Sequence, residues 1–328
     1  TYWFALDGGD LYGQYNYQVN ENGTHKRFGS AVTDFATDVY RDRALTFIKG
    51  ATAAKVPYFC YLAFSAPHSP STPALRYQDW FPNTQLPNKP SRNESDVSDK
   101  PDYIQSLLPL TTSKLLFLGK SYRKRLRSLQ AVDEAVEAVF KAIGATGLTR
   151  TYVIFASDNG FLLGEHRATG KSGPYEEMVK QVLLVRGPGV VHGFKSLALV
   201  GNVDIAPTIL DWAGLPIPED MDGRSLKGQL TLQLPARWRV GYPLRLAGST
   251  DQIFPKYLGF RTRHYAYFRY LDGEQEFYDM QKDPCQLKNI AGGIRADALA
   301  GYAAVAAELA TCKGITCRTV ECDPRLPD

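Results

Sequence analysis

One stretch limits what this 328-residue chain can become: the apolar, β-branched run Tyr152-Val153-Ile154-Phe155, which stops at Ser157-Asp158-Asn159-Gly160. A run of that length and makeup predicts a fully buried strand, and burial on both faces belongs to a sheet covered by helices on either side. An acid, an amide and a glycine in succession are poor strand residues but good turn residues. In an open α/β sheet, ligands bind just past the carboxyl ends of strands. There Asp158 and Asn159 offer two hard oxygen donors to a Ca²⁺ or Mg²⁺ ion. Lys171 follows in the small-residue segment Thr169-Gly170-Lys171-Ser172-Gly173, which leaves its ammonium free to meet an anion. A metal ion and a lysine at one strand tip suit a sulfate or phosphate ester. The same Asp-Asn-Gly tripeptide also closes ordinary turns, so the ligand reading needs support from the rest of the chain.

A second apolar run, Val56 to Phe64, predicts another buried strand, and it ends in Ser65-Ala66-Pro67-His68-Ser69-Pro70. The prolines hold the chain extended and leave His68 just beyond the tip. If the two strands are parallel, His68 shares a sheet edge with Asp158 and Asn159 and becomes a candidate donor to an ester oxygen. From Leu115 to Ile143, apolar residues recur at steps of three and four, which predicts a long one-faced helix closed by Gly144. Its other face carries Lys120, Arg123, Lys124, Arg125 and Arg127, either a solvated face or a contact for a sulfated polymer. This helix would complete a βαβ unit from Val56 to Ser157.

Shorter signals fill in the remainder. Tyr2 to Asn22 reads as loop with a short hairpin; Asp34 to Ile48 reads as an amphipathic helix stopping at Gly50. Residues 72–112 are rich in Pro, Asn, Ser and Asp and predict a long, partly mobile loop. A short helix begins at Tyr175, a strand runs from Val182 to Arg186, and Val203 to Gly214 reads as an Asp-led turn into a helix. Beyond Pro235 the pattern changes. Strand-like runs from Tyr257 to Tyr278, with Asp272-Gly273 between two of them, predict an antiparallel sheet followed by the Ala-rich helix Ala296 to Ala310. Two domains are expected, 1–234 and 235–328.

With 44% hydrophobic and 22% charged residues, the composition is that of a globular protein. A net charge of +4 is too small to argue for nucleic acid, and no apolar stretch has the length of a membrane span. The opening Thr1-Tyr2-Trp3-Phe4 is neither a start methionine nor a signal peptide, so the chain reads as cut from something longer. Sequons at Asn22 and Asn93 point to a secretory route, lysosomal or secreted. Of the five cysteines, Cys312 and Cys317 close a short loop that reads as a disulfide in an oxidising compartment; Cys60, in an apolar run, reads as a buried thiol.

Taken in order, these segments resemble the sulfatase family, which shares its fold with alkaline phosphatase. The resemblance is carried by APHSP at Ala66, SDNG at Ser157, the lysine segment ending in YEE, LLVRGPG at Leu183, VDIAPTILDWAGLP at Val203, DGRSL at Asp222 and FYDMQKDPCQLKNI at Phe277. DWFPNTQLP at Asp79, SYRKR at Ser121 and the opening YWFAL are similar to the N-acetylglucosamine-6-sulfatase branch. The resemblance implies an α/β sandwich with a central, largely parallel sheet and a small C-terminal antiparallel sheet with a helix. It implies hydrolysis of sulfate esters on a sulfated sugar or glycosaminoglycan. It makes Asp158 and Asn159 ligands of Ca²⁺, and Lys171 and His68 the side chains that hold the sulfate.

The sequence departs from the family pattern where the nucleophile is concerned. In the family, a formylglycine is made from the Cys or Ser of a Cys/Ser-x-Pro-x-Arg motif upstream of all these segments, together with further metal aspartates, and this chain holds none of them. The nearest string, Asn88-Lys89-Pro90-Ser91-Arg92, has Asn at the convertible position and reads as coincidence in a flexible loop. The expectation is a chain with about half of a catalytic site, inactive alone, its nucleophile on upstream sequence. The alternatives are a non-catalytic binder of sulfated glycans and a phosphatase or phosphonate hydrolase of the same fold.

Overall fold

The structure, a computed structural model, describes residues 1–235, 237–248 and 254–327. In chain order, the first elements are β1 (Phe4–Gly9), β2 (Tyr17–Glu21), β3 (Thr24–Arg27), α1 (Ala36–Ala54), α2 (Asp102–Gln105) and α3 (Thr112–Leu148). Around the central turn come β4 (Val153–Ala156), β5 (Leu162–Leu163), β6 (Thr169–Gly170), α4 (Glu176–Val179) and β7 (Leu183–Arg186). The chain closes with α5 (Ile205–Trp212), α6 (Lys227–Leu230), β8 (Tyr242–Leu246), β9 (Tyr257–Arg261), β10 (Tyr265–Tyr270), β11 (Gln275–Asp279), α7 (Ala296–Thr311) and α8 (Ile315–Val320). Among the described residues no helix is long and apolar enough to cross a membrane.

These elements form two compact units, 1–87 with 112–152 and 88–111 with 153–328. The C-terminal sheet shares one apolar core with Val97, Ile104, Leu162, Ala168 and Tyr175, and that shared packing keeps it in the same unit as the central turn.

In the first unit, β1, β2 and β3 pair antiparallel. Asn22-Gly23 joins β2 to β3 with positive φ at both residues (51° and 90°), the backbone of a two-residue hairpin turn. The sheet and α1 enclose Tyr17, Val19, Ala36 and Tyr40. Helix α1 continues through Gly50 and ends at Lys55 in the left-handed conformation. Helix α3 packs along α1, and its regular course breaks at Gly144 (φ 68°, ψ 168°), where the sequence placed the stop.

The run Val56 to Phe64 is not a buried strand. It pairs with no described strand, and Phe59 and Tyr61 are 65% and 84% exposed. Leu62 and Phe64 still pack on the Tyr17–Tyr40 cluster. An apolar β-branched run specifies extended backbone; burial on its second face needs a neighbour that composition cannot supply. The expected βαβ unit therefore does not form, and β4 pairs antiparallel with β7, Ile154 opposite Val185.

In the second unit, β8 to β11 form a four-stranded antiparallel sheet in the order β11-β10-β9-β8, with the Asp272-Gly273 turn between β10 and β11. One core holds Phe268, Tyr270, Tyr278 and Tyr175; another holds Phe260, Tyr267 and Phe277 against Val305, Ala306 and Leu309 of α7. Cys312 and Cys317 form a disulfide directly after α7.

Candidate active site

The backbone brings Asp158, Asn159 and Lys171 to one end of a hairpin in the second unit. In the β5–β6 pair, Leu162 lies opposite Gly170, so Lys171, one residue past β6, is level with Phe161, two residues from Asn159. The turn is tied to α4 by two backbone bonds, from Gly160 N to the Met178 carbonyl (2.9 Å) and from Phe161 N to that of Glu177 (3.2 Å). Only glycine allows this approach, because a Cβ at Gly160 would lie 2.0 Å from the Glu177 carbonyl oxygen. Asn202 holds the turn from the other side, donating through Nδ2 to the Ser157 carbonyl (2.9 Å).

Hydrogen bonding decides which atoms remain for a ligand. Asn159 Nδ2 donates to the Gly160 carbonyl (2.8 Å), and a carbonyl can only accept, so the amide orientation is fixed. Its Oδ1 is left without a partner among the described residues. Asp158 Oδ1 accepts from Asn159 N (2.8 Å), while Oδ2 likewise has no partner there. Two hard oxygens thus flank one exposed turn, which fits a Ca²⁺-type shell in donor chemistry but supplies only two of its six to eight ligands. No group of three or more His, Cys, Asp or Glu residues placed to hold a metal occurs among the described residues.

Lys171 is exposed, and its ammonium has no carboxylate partner among the described residues. Three acids near it in the chain take other partners. Glu177 takes Lys89 and Ser91 (3.2 Å each), Glu165 takes Arg92 (3.3 Å), and Glu176 takes Arg261 (2.8 Å). Gly173, two residues on, accommodates Phe254, whose ring a Cβ would meet at 2.7 Å.

The support for this hairpin comes from residues 88–111, which the sequence reading took as part of a mobile loop. His166 N donates to the Ser91 carbonyl (2.7 Å) and Asn93 N to that of Gly164 (2.8 Å). His166, fully buried, places Nδ1 2.7 Å from Glu94 and stacks on Tyr175, and the Glu94 carboxylate also lies 3.4 Å from buried Lys100. The segment is polar because it makes buried ion pairs, not because it is solvated. Asn88-Lys89-Pro90-Ser91-Arg92 is accordingly an anchored strut rather than a flexible loop. None of these support residues carried a sequence signal, since polarity alone is ambiguous between loop and buried network.

A second network pins the segment from Val203. Buried Asp204 accepts from Gly201 N (2.9 Å), Arg224 N (2.8 Å) and the Arg239 guanidinium (2.8 and 2.9 Å), and Arg239 Nε also lies 2.8 Å from Glu321. The most specific stretch of the sequence is therefore a brace behind the site, tying the α5 segment to the C-terminus. Buried Glu276, accepting from Tyr175, Tyr270 and Tyr278 (2.8–2.9 Å), is held above the ordinary carboxyl range by desolvation.

His68 is carried by the first unit. Its Nδ1 lies 2.8 Å from the Ser69 carbonyl, and its ring stacks on Tyr12. The basic face of α3 serves this segment. Arg125 donates to the Pro67 carbonyl (3.4 Å), Arg127 to that of Trp80 (2.5 Å) and Arg123 to that of Thr84 (3.3 Å). These arginines brace the chain on both sides of His68, while Lys120 and Lys124 of the same face stay exposed. Of the two sequons, Asn22 is exposed on its hairpin turn, whereas Asn93 uses its amide to clamp the Leu110 backbone (2.6 and 3.3 Å).

A family model described as Sulfatase matches residues 4–215, and one described as N-sulphoglucosamine sulphohydrolase, C-terminal, matches residues 164–310. The chain is 33% identical to the N-acetylglucosamine-6-sulfatase of Bos taurus, over 97% of this chain and 63% of that protein, so it spans under two thirds of that relative's length. Among solved structures, BT4656 in complex with its substrate D-glucosamine-2-N,6-O-disulfate superimposes with a TM-score of 0.80 at 24% identity, over 100% of this chain and 78% of that one. The phosphonate monoester hydrolase of Silicibacter pomeroyi follows at 0.66 and 22%, over 92% of this chain and 65% of that one. These likenesses show the alkaline-phosphatase-like fold, with its C-terminal antiparallel sheet and helix. The chain belongs to the sulfatase family.

Proposed function

We propose that this chain carries part of the active site of a hydrolase that releases sulfate from a sulfated sugar or glycosaminoglycan, with N-acetylglucosamine 6-sulfate the first substrate to try. One observation supports this above the others: the unpartnered oxygens of Asp158 and Asn159 and the uncompensated Lys171 sit at the end of one braced hairpin. Asp158 and Asn159 would hold a divalent ion, Ca²⁺ by the family likeness, which when bound adds positive charge beside the sulfuryl oxygens. Lys171 binds the same anionic group. Fixed cations of this kind lower the barrier because they need no reorganisation as charge develops. His68 is the second side chain assigned to the ester, facing an oxygen of the sulfate group through Nε2 and donating to it when both ring nitrogens carry protons. The nucleophile is assigned to a formylglycine outside residues 1–328, and the route to the secretory pathway.

The test uses the intact gene product, produced with a formylglycine-generating enzyme and supplied with Ca²⁺. Release of sulfate from N-acetylglucosamine 6-sulfate and from an aryl sulfate is measured for the native protein and for Lys171→Ala and Asp158→Asn. Turnover lost in both variants supports the assignment; no sulfate from any aryl or sugar sulfate sinks it. The phosphonate hydrolase likeness gives a second substrate class. Faster turnover of an aryl phosphonate than of the matching sulfate would move the assignment there.

A further inference from the structure

We infer that Tyr12 is a positioning residue for His68: its ring fixes the imidazole so that Nε2 is the nitrogen presented to the ester. This rests on the assignment of His68 to the sulfate group, and it adds a residue that neither motif nor spacing pointed to.

The rings of Tyr12 and His68 stack with centroids 3.8 Å apart and planes 24° from parallel. Both residues are exposed, so the contact is not a by-product of core packing. On the imidazole, Nδ1 lies 2.8 Å from the Ser69 carbonyl oxygen. A carbonyl only accepts, so Nδ1 carries a proton in either charge state and Nε2 is left as the variable nitrogen. Among the described residues Nε2 has no partner. The backbone bond sets the tautomer, and the stacked phenol sets the plane in which Nε2 points.

The rest of the loop explains how an exposed tyrosine is held well enough for this. Asp10 Oδ1 accepts from the backbone N–H of Tyr12 (3.2 Å) and of Gly13 (2.8 Å), folding the connection between β1 and β2 into a tight turn. Gly9 (φ 74°) begins that turn where a Cβ would lie 2.5 Å from the Asn16 carbonyl oxygen. Buried Gln14 then ties the two partners together. Its Oε1 accepts from Thr37 N (3.1 Å) and Oγ1 (2.9 Å), while its Nε2 donates to Ser65 Oγ (2.8 Å), three residues before His68. On the His68 side, His68 N bonds the Ser65 carbonyl and Ser71 N bonds that of His68, both at 2.8 Å. The loop carrying Tyr12 and the loop carrying His68 are thus fastened to each other by a buried amide, and the ring stack is their exposed outcome.

The experiment is a double-mutant cycle on the intact gene product, read as kcat/KM for sulfate release. Removing the stack in Tyr12→Leu is expected to lower kcat/KM about three- to tenfold, the range an aromatic pair of this geometry supports. Tyr12→Phe keeps the ring and is expected to restore native turnover. In a His68→Ala background, Tyr12→Leu should cost nothing further, because there is no imidazole left to orient. In parallel, the His68 ring protons, shifted upfield by the facing ring in the native protein and in Tyr12→Phe, should move to ordinary positions in Tyr12→Leu. An equal loss with and without His68, or a loss in Tyr12→Phe as large as in Tyr12→Leu, would overturn the role of Tyr12 while leaving His68 in place. If His68→Ala alone leaves turnover unchanged, the assignment of His68 itself fails and this one falls with it.

Discussion

Gly160→Ala separates what the turn is made of from what holds it in place. The added Cβ would lie 2.0 Å from the Glu177 carbonyl oxygen and 2.9 Å from Met178 Cα, against an ordinary contact of about 3.4 Å. Relief requires the turn and α4 to part by roughly 1.4 Å, which takes the 2.9 Å bond from Gly160 N to Met178 O beyond bonding range and strains the neighbouring one from Phe161. Two backbone bonds at about 1 kcal/mol each, with about 1–3 kcal/mol of overpacking strain, give a loss of about 3–5 kcal/mol. The catalytic effect is larger in proportion, because a displacement of about 1 Å of positioned groups costs about a hundredfold in rate. Hydrogen exchange of the peptide spanning residues 158–180 reads the loss of the two bonds directly, and urea unfolding reads the stability. Gly50→Ala is the control: nothing lies within 4 Å of its Cβ and it sits inside α1, so alanine there should stabilise by up to about 1 kcal/mol. Unchanged exchange in residues 158–180 with native turnover in Gly160→Ala would refute the claim that this contact sets the spacing of the site.

Two further outcomes follow from the buried charges. Arg239→Met leaves Asp204 and Glu321 buried without their shared cation; a loss of about 3–5 kcal/mol is expected in urea unfolding, and most of it should return in the Arg239→Met, Asp204→Asn double variant. Burial raises the Glu276 carboxyl above its ordinary value of 4.5, so the folded state holds this proton more tightly than the unfolded chain. Its stabilising share is complete below that value and is lost as pH rises through the folded value. The stability difference between the native protein and Glu276→Gln should therefore shrink as pH rises from about 4.5 toward neutrality; a difference that is flat, or that grows over that range, contradicts the assignment.

What could be read from sequence was local. Asp158-Asn159-Gly160 after an apolar run, Asp272-Gly273 between alternating runs, Gly144 at the helix break and the Cys312–Cys317 bridge each depend on residues adjacent in the chain, and each stands where it was expected. What could not be read was pairing at a distance. Val56 to Phe64 and Tyr152 to Phe155 look alike as strings, yet one finds an antiparallel partner in β7 and the other finds none. Residues 88–111 look solvated because Ser91, Glu94 and Lys100 are polar, but their burial depends on Glu177, His166 and Asp99, of which the first two lie more than seventy positions away. A polar residue's environment is set by its partner, and the partner is invisible to composition.

The arginines of α3 carry the same lesson to the chemistry. A run of five cations on a helix facing away from its apolar stripe is the pattern from which binding to a sulfated polymer would ordinarily be argued, yet three of them donate to the backbone carbonyls of Pro67, Trp80 and Thr84. Each of these guanidinium groups gives one of its five N–H donors to a carbonyl, so its charge remains while its orientation is constrained. Lys171 is a single cation, exposed and without a carboxylate partner among the described residues. Counting charges alone therefore does not separate these two places; what each offers an anion depends on the partners its cations take in the fold.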